Sequence, residues 1–237
     1  MYISCTFNGI TCTNTFTTTK RVAEGSDYNF PYVDGLNLAT GKCLNSFTGY
    51  EQLYIDCQGT GNAVCDSTIK NGPNLVVGES VINLKTSTGG KASCISTLHC
   101  FIDCEGATNC IASSASTNKA AFTAVTSFFP ILNMKSCTSC TATCLTNSDC
   151  LIYAQSSSSG TFTVKDSLTT GYSVIDARGA TSPTNICDNV PTCFIFCDSA
   201  LTTCTNTLMN LPDATTTYSL ITCPTSVPCV NTCKNQL

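Results

Sequence analysis

The chain has 237 residues, only 11% of them charged, and a net charge of −4 with Lys20-Arg21 as the sole pair of adjacent cations. Nucleic acid is excluded as a partner, because a binder groups Lys and Arg to neutralise phosphates. No apolar run reaches the roughly 18 residues that cross a bilayer; the longest, Phe122 to Met134, is broken by Thr, Ser and Pro.

Cysteine and small hydroxyl residues dominate instead. There are 20 Cys, 39 Thr and 25 Ser, against one His and no Trp. Twenty cysteines held in a reducing compartment would need metal, and zinc sites show paired CxxC knuckles or added histidines. Only Cys137 and Cys140 have that spacing, and His99 stands alone. The cysteines therefore read as disulfides, and the compartment as extracellular, secreted or on a cell surface. The opening MYISCTFNGI lacks the charged and apolar regions of a signal peptide, which suggests a mature form or a fragment.

In chain order the strand-like segments alternate inward and outward residues. Tyr2-Ile-Ser-Cys5 comes first, then Thr11 to Thr17 around Cys12. Tyr54-Ile-Asp-Cys57 precedes a polar turn, Gly59 to Asn62, and Cys65. Asn74 to Lys85 is a further run. Phe101-Ile-Asp-Cys104, the turn Glu105 to Asn109 and Cys110 follow. Thr141-Ala-Thr-Cys144 leads through the turn Thr146 to Asp149 into Cys150-Leu-Ile-Tyr153. Thr161 to Val164 and Tyr172 to Ile175 come next. Phe194-Ile-Phe-Cys197, the turn Asp198 to Thr203 and Cys204 to Leu208 repeat the theme. Thr217 to Cys223 and Val230-Asn-Thr-Cys233 end it. No segment keeps a helical period.

These segments align as a cysteine repeat, C-x(2,5)-C-x3-C-x(5,7)-C, whose four positions are called a, b, c and d. Position a is held by Cys94, Cys137, Cys187 and Cys223, with Cys43 in a degenerate copy where Leu53 replaces b. Position b is Cys100, Cys140, Cys193 and Cys229. Position c is Cys5, Cys57, Cys104, Cys144, Cys197 and Cys233, and d is Cys12, Cys65, Cys110, Cys150 and Cys204. Repetition with variable loops predicts an all-β, disulfide-rich repeat array. The expected form is a β-solenoid, or parallel β-helix, of about five irregular coils with three short strands each; a string of small β modules is the competing form. The chain reads as one repeat domain, 1–237. A partial coil covers 1–42, coils cover about 43–93, 94–136, 137–186 and 187–222, and a partial coil covers 223–237.

The pattern Cys94-x5-Cys100-Phe-Ile-Asp-Cys104-x5-Cys110 resembles the cysteine-stapled parallel β-helix repeats of extracellular proteins from eukaryotic microbes. More loosely, the Ser, Thr and Cys balance is similar to protist surface antigens. The resemblance implies a surface or filament protein and carries over no active site.

Candidate chemistry is sparse, and no enzyme activity, cofactor or metal is expected. Any nucleophile–base pair would depend on His99, which directly precedes Cys100 and so points away from the cysteine face. Asp56 and Asp103 share a phase, and stacked carboxylates about 5 Å apart would suit calcium or a retaining glycosidase. Thr-x-Thr pairs such as Thr141/Thr143, Thr161/Thr163 and Thr205/Thr207 could bind ice only on a regular lattice, which the uneven coils argue against. Ser156 to Ser159 and Thr215 to Thr217 are candidate acceptors for O-linked glycans. None of the 19 Asn lies in an Asn-x-Ser/Thr sequon, as expected either of a producer without N-glycosylation or of a packed polymer surface that bulky glycans would block.

Two disulfide schemes remain open. Local closure pairs a with b and c with d, leaving Cys43 and Cys233. Adjacent-coil pairing joins d to the next a and c to the next b, leaving Cys5 and Cys233. In both, b and c of one strand cannot pair, since four strand residues span about 13 Å. Both leave Cys233 for a bridge to another subunit, at Cys43 or at Cys5. The expectation is an extracellular structural protein whose only protein partner is itself, a filament or coat subunit assembling head to tail. An adhesin or ice-binding protein is the alternative, and a carbohydrate-active β-helix enzyme the third.

Overall fold

The computed structural model describes residues 2–4, 11–17, 32–34, 42–49, 53–57, 64–70, 79–97, 99–115, 130–146, 149–166, 172–198, 203–210, 219–224 and 228–234. Its strands fall into two ten-stranded sheets. The first sheet holds β1 (Tyr2–Ser4), β3 (Tyr32–Asp34), β5 (Leu53–Asp56), β7 (Glu79–Asn83), β9 (His99–Asp103), β11 (Ile131–Asn133), β13 (Cys150–Tyr153), β15 (Tyr172–Asp176), β17 (Thr192–Phe196) and β19 (Leu220–Thr222). The second holds β2 (Thr11–Thr17), β4 (Lys42–Thr48), β6 (Val64–Lys70), β8 (Lys91–Ile95), β10 (Ile111–Ala115), β12 (Thr141–Leu145), β14 (Thr161–Lys165), β16 (Thr184–Asp188), β18 (Cys204–Met209) and β20 (Cys229–Lys234). Every neighbouring pair is parallel. The chain alternates between the sheets, so each rung gives one strand to each. This is the β-solenoid the sequence predicts, and both sheets run unbroken, unlike a string of separate modules.

In-register stacking puts like residues over like. One inward column of the first sheet reads Val33, Ile55, Ile82, Ile102, Leu132, Ile152, Ile175, Ile195, and all eight are fully buried. Branched side chains fit a pleated, buried surface, and each such burial contributes roughly 1.5–3 kcal/mol. Opposite them, the second sheet contributes Phe47, Ile69, Cys94, Cys144, Val164 and Cys187 from a single column.

The repeat is finer than the cysteines suggest. Cys12, Cys43, Cys65, Cys110, Cys140, Cys204 and Cys229 open second-sheet strands in one column, with Gly90, Gly160 and Pro183 at the same position. Among the described residues the two sheets thus pair as ten rungs of two strands each, where three short strands per coil were expected. The c cysteines also mix two places. Cys57, Cys104 and Cys197 follow first-sheet strands, whereas Cys144 and Cys233 lie within β12 and β20 of the second sheet. The uneven c-to-c spacing therefore counts half-rungs. Cys43 belongs with the d cysteines rather than with a.

Turns of this edge that lack a cysteine pair escaped notice because other residues fill the same space. Between β9 and β10, Cys104 and Cys110 close the turn. In the rung before, Leu84 and Gly90 stand there, and a Cβ on Gly90 would come within 3.2 Å of the Leu84 side chain. At Gly160 a Cβ would fall 2.1 Å from the ring of Phe162, itself fully buried. Large and small residues together replace two medium ones. Gly160→Ala should therefore lose about 1–3 kcal/mol of stability through overpacking, read as a lower urea midpoint at unchanged m-value.

Candidate functional site

Disulfides close both edges of the stack. At the edge leading from the first sheet to the second, Cys57–Cys65, Cys104–Cys110, Cys197–Cys204 and Cys223–Cys229 bridge, and Cys137–Cys140 closes one turn more tightly. At the opposite edge Cys94–Cys100, Cys144–Cys150 and Cys187–Cys193 each span six residues. Cα separations of 6.0–6.5 Å suit such bonds. Cys12 is also disulfide-bonded. This is the local scheme, a with b and c with d. Adjacent-coil pairing is not adopted, and no strand pairs its own b and c: Cys100 and Cys104 take Cys94 and Cys110.

Among the described residues two thiols are free, Cys43, which is buried, and Cys233, which is exposed. Cys233 occupies the second-sheet column of Cys187 and Cys144, from which the six-residue bridges of the opposite edge start. Cys43 sits at the other edge, fully enclosed. Cys5, the other sequence candidate for bridging Cys233, lies outside the described residues. Burial pushes the Cys43 thiol up from its ordinary range, against a smaller opposing effect of its hydrogen bond with Asn45.

Cysteine spacing alone missed an asparagine ladder inside the second sheet. Asn14 donates to Asn45 Oδ1 at 2.9 Å, and Asn45 donates to Ser67 Oγ at 3.1 Å. Nearer the other end Asn185 donates to Asn206 Oδ1 at 2.8 Å, and Asn206 to Asn231 Oδ1 at 2.9 Å. Every Nδ2 points toward the higher-numbered rung. Ala92, Ala112, Ala142 and Phe162 fill the column between. The signal was present in the sequence as Cys-x-Asn, at Cys12, Cys43, Cys204 and Cys229.

The outer faces differ. The first sheet shows an apolar column, Tyr32, Tyr54, Val81, Phe101, Ile131, Leu151, Val174, Phe194 and Leu220, in which Tyr32 and Tyr54 stack at 5.3 Å. The second sheet shows a hydroxyl column: Thr15, Ser46, Thr68, Ser93, Ser113, Thr143 and Thr163, then Ile186, Thr207 and Thr232. Thr143, Thr163 and Thr207 thus fall in phase despite the uneven spacing of the coils in the sequence. The next column out is mixed, with Leu44, Asp66, Lys91 and Ile111 interrupting its threonines. Of the Ser156–Ser159 run, Ser156 and Ser159 are exposed and Ser157 is buried; Thr215 to Thr217 lie outside the described residues.

Asp56 and Asp103 share a column, but Asn83 stands between them. Asn83 donates to Asp56 at 3.2 Å, and Asn133 donates to Asp103 at 3.0 Å. Two rungs put the carboxylates about 10 Å apart, so the expected 5 Å pair does not form. Lys85 Nζ lies 3.5 Å from Asp103 and 2.8 Å from Glu105. His99 opens β9 outward, opposite the buried Cys100 and in register with Glu79.

Asp176, in the same column, is nearly fully buried. Burial pushes its carboxyl up, but Arg178 and Gln155, each donating at 2.6 Å, outweigh it and hold the carboxyl below its ordinary value. The chain matches no known protein family, no curated protein and no solved structure. What the fold and its staples define is a disulfide-stapled parallel β-solenoid.

Two outcomes follow. Lost bridges in secreted domains typically cost about 2–5 kcal/mol each. Excess dithiothreitol should therefore lower the melting temperature by about 10 °C or more. The Asp176 contribution is present above the unfolded carboxylate pKa of about 3.9 and is lost as pH falls through the lower folded value. Between about pH 5 and pH 2.5 the wild type should lose more stability than Asp176→Asn, measured by urea melts at each pH.

Proposed function

We propose that this protein is an extracellular structural subunit that builds a filament or coat by head-to-tail stacking of its rungs. The polarity of the asparagine ladder carries this reading. β20 presents Asn231, whose Oδ1 accepts from Asn206 and whose amide nitrogen is the donor left to continue the ladder. β2 presents Asn14, whose amide nitrogen is engaged by Asn45. Stacking β2 of one copy on β20 of another extends the ladder with a donor meeting an acceptor, and an amide oxygen accepts two bonds. The same register sets Thr232 over Thr15 and, in the other sheet, Ile221 over Ile3.

The edges support it further. Inward positions in the interior of the stack are buried, but Asn231 and Cys233 in β20 are exposed. Open sheet edges template pairing with another strand, and heterologous contacts that do not close produce filaments. The many disulfides fit an oxidising, extracellular setting. The hydroxyl column is one residue wide, so its charged and apolar neighbours favour this reading over ice binding.

Negative-stain microscopy and sedimentation velocity test it. Wild type should form rods that lengthen with concentration. Asn231→Lys, an inward charge on the open edge, should stay monomeric with an unchanged melting temperature. Compact wild-type monomers at every concentration would rule the reading out.

A further inference from the structure

Cys43 is a d cysteine without its c. In four stapled rungs of that edge the residue after the first-sheet strand is a cysteine: Cys57 after Asp56, Cys104 after Asp103, Cys197 after Phe196 and Cys223 after Thr222; after Asp34 the sequence has Gly35. Cys43 nonetheless keeps its column, stacked between Cys12 and Cys65. The sulfurs of Cys43, Cys57 and Cys65 all lie within 4.8 Å of one another, and Cys57 and Cys65 are bonded. Asn45 spans the group: its amide nitrogen lies 3.3 Å from the Cys43 sulfur, 3.9 Å from the Cys65 sulfur and 3.1 Å from Ser67 Oγ. A buried thiol is therefore held against a disulfide by register and by a shared amide. Stacked Cα atoms on adjacent parallel strands are about 4.8 Å apart, inside the range a disulfide spans.

We propose that Cys43 is a resident exchange thiol that converts the Cys57–Cys65 staple into a Cys43–Cys65 staple. The Cys43 thiolate attacks Sγ of Cys65. The Cys43–Cys65 bond forms as the Cys57–Cys65 bond breaks, and Cys57 leaves as a thiolate that takes up the proton Cys43 released. One disulfide and one thiol exist before and after, so no oxidant or reductant is needed. The change is mechanical. The first pairing closes a turn within one rung, whereas the second ties β4 directly to β6. Two neighbouring rungs, otherwise joined by hydrogen bonds, side-chain packing and the connecting chain, then share a covalent cross-link. The inference does not depend on how copies assemble.

The test uses the full chain carrying Cys233→Ser, so that the exposed thiol drives no exchange between molecules. The folded protein is incubated at mildly alkaline pH, acid-quenched, unfolded, alkylated and peptide-mapped. Two species are expected: Cys57–Cys65 with label on Cys43, and Cys43–Cys65 with label on Cys57. Adding Cys43→Ser should remove the second. Label on Cys43 alone at every time point would overturn the proposal. A second variant, Cys57→Ser, removes the competing bond. Oxidative refolding should then give a Cys43–Cys65 bridge, and full labelling of both residues after unfolding would show that the two sulfurs do not reach each other.

Discussion

The parallel register between successive rungs is the constraint on which the rest of this structure depends. Parallel strands about 4.8 Å apart place each side chain over its equivalent in the rung before. A position is therefore a column, and its chemistry has to suit repetition. Apolar branched residues satisfy it by stacking, as in the file from Val33 to Ile195. Amides satisfy it by donating to the next amide along the stack, as Asn185 and Asn206 do. Carboxylates do not, because like charges repel at that distance. The acidic column accordingly alternates, with Asn83 beside Asp56 and Asn133 beside Asp103. Asp176, which has Tyr153 in the rung before it, is instead held by Arg178 and Gln155.

Register also explains why the disulfides close turns. Inward columns at the two ends of a rung face each other across a narrow edge, and a six-residue connection brings their Cα atoms to about 6 Å, as at Cys94–Cys100 and Cys104–Cys110. Such staples close the turn between consecutive strands but do not tie neighbouring strands of one sheet together. Cohesion along the stack comes from strand hydrogen bonds, the isoleucine file and the amide ladder. Against that background a buried thiol between stapled rungs, Cys43, is chemically unlike the other d cysteines.

The same geometry gives the molecule distinct surfaces: an apolar file on one sheet, a hydroxyl file on the other, and edges that present matching columns. A solenoid face is as long as its stack, and its edge is a copy of its interior cross-section. The edge is thus complementary to a further rung by construction, which makes β20 and β2 the surfaces of greatest functional interest.

Much was legible in the sequence because cysteine spacing and two-residue alternation are local. Strand character at Phe101 to Cys104, the turn at Glu105 to Asn109 and the impossibility of a Cys100–Cys104 bond all follow from distances along a few residues. The solenoid itself follows from their recurrence. Local spacing could not assign a segment to a sheet, however. Both edges are closed by six-residue links, so Thr141-Ala-Thr-Cys144 looks like Phe101-Ile-Asp-Cys104 although one lies in the second sheet and the other in the first. Turns at which Leu84 with Gly90, or Phe162 with Gly160, replaces a cysteine pair were invisible, because volume complementarity across a turn leaves no residue type in common. Which residues share a column, and so whether Asp56 meets Asp103 or the threonines fall in phase, was decided only by the three-dimensional stack. Insertions between rungs shift sequence spacing without shifting register.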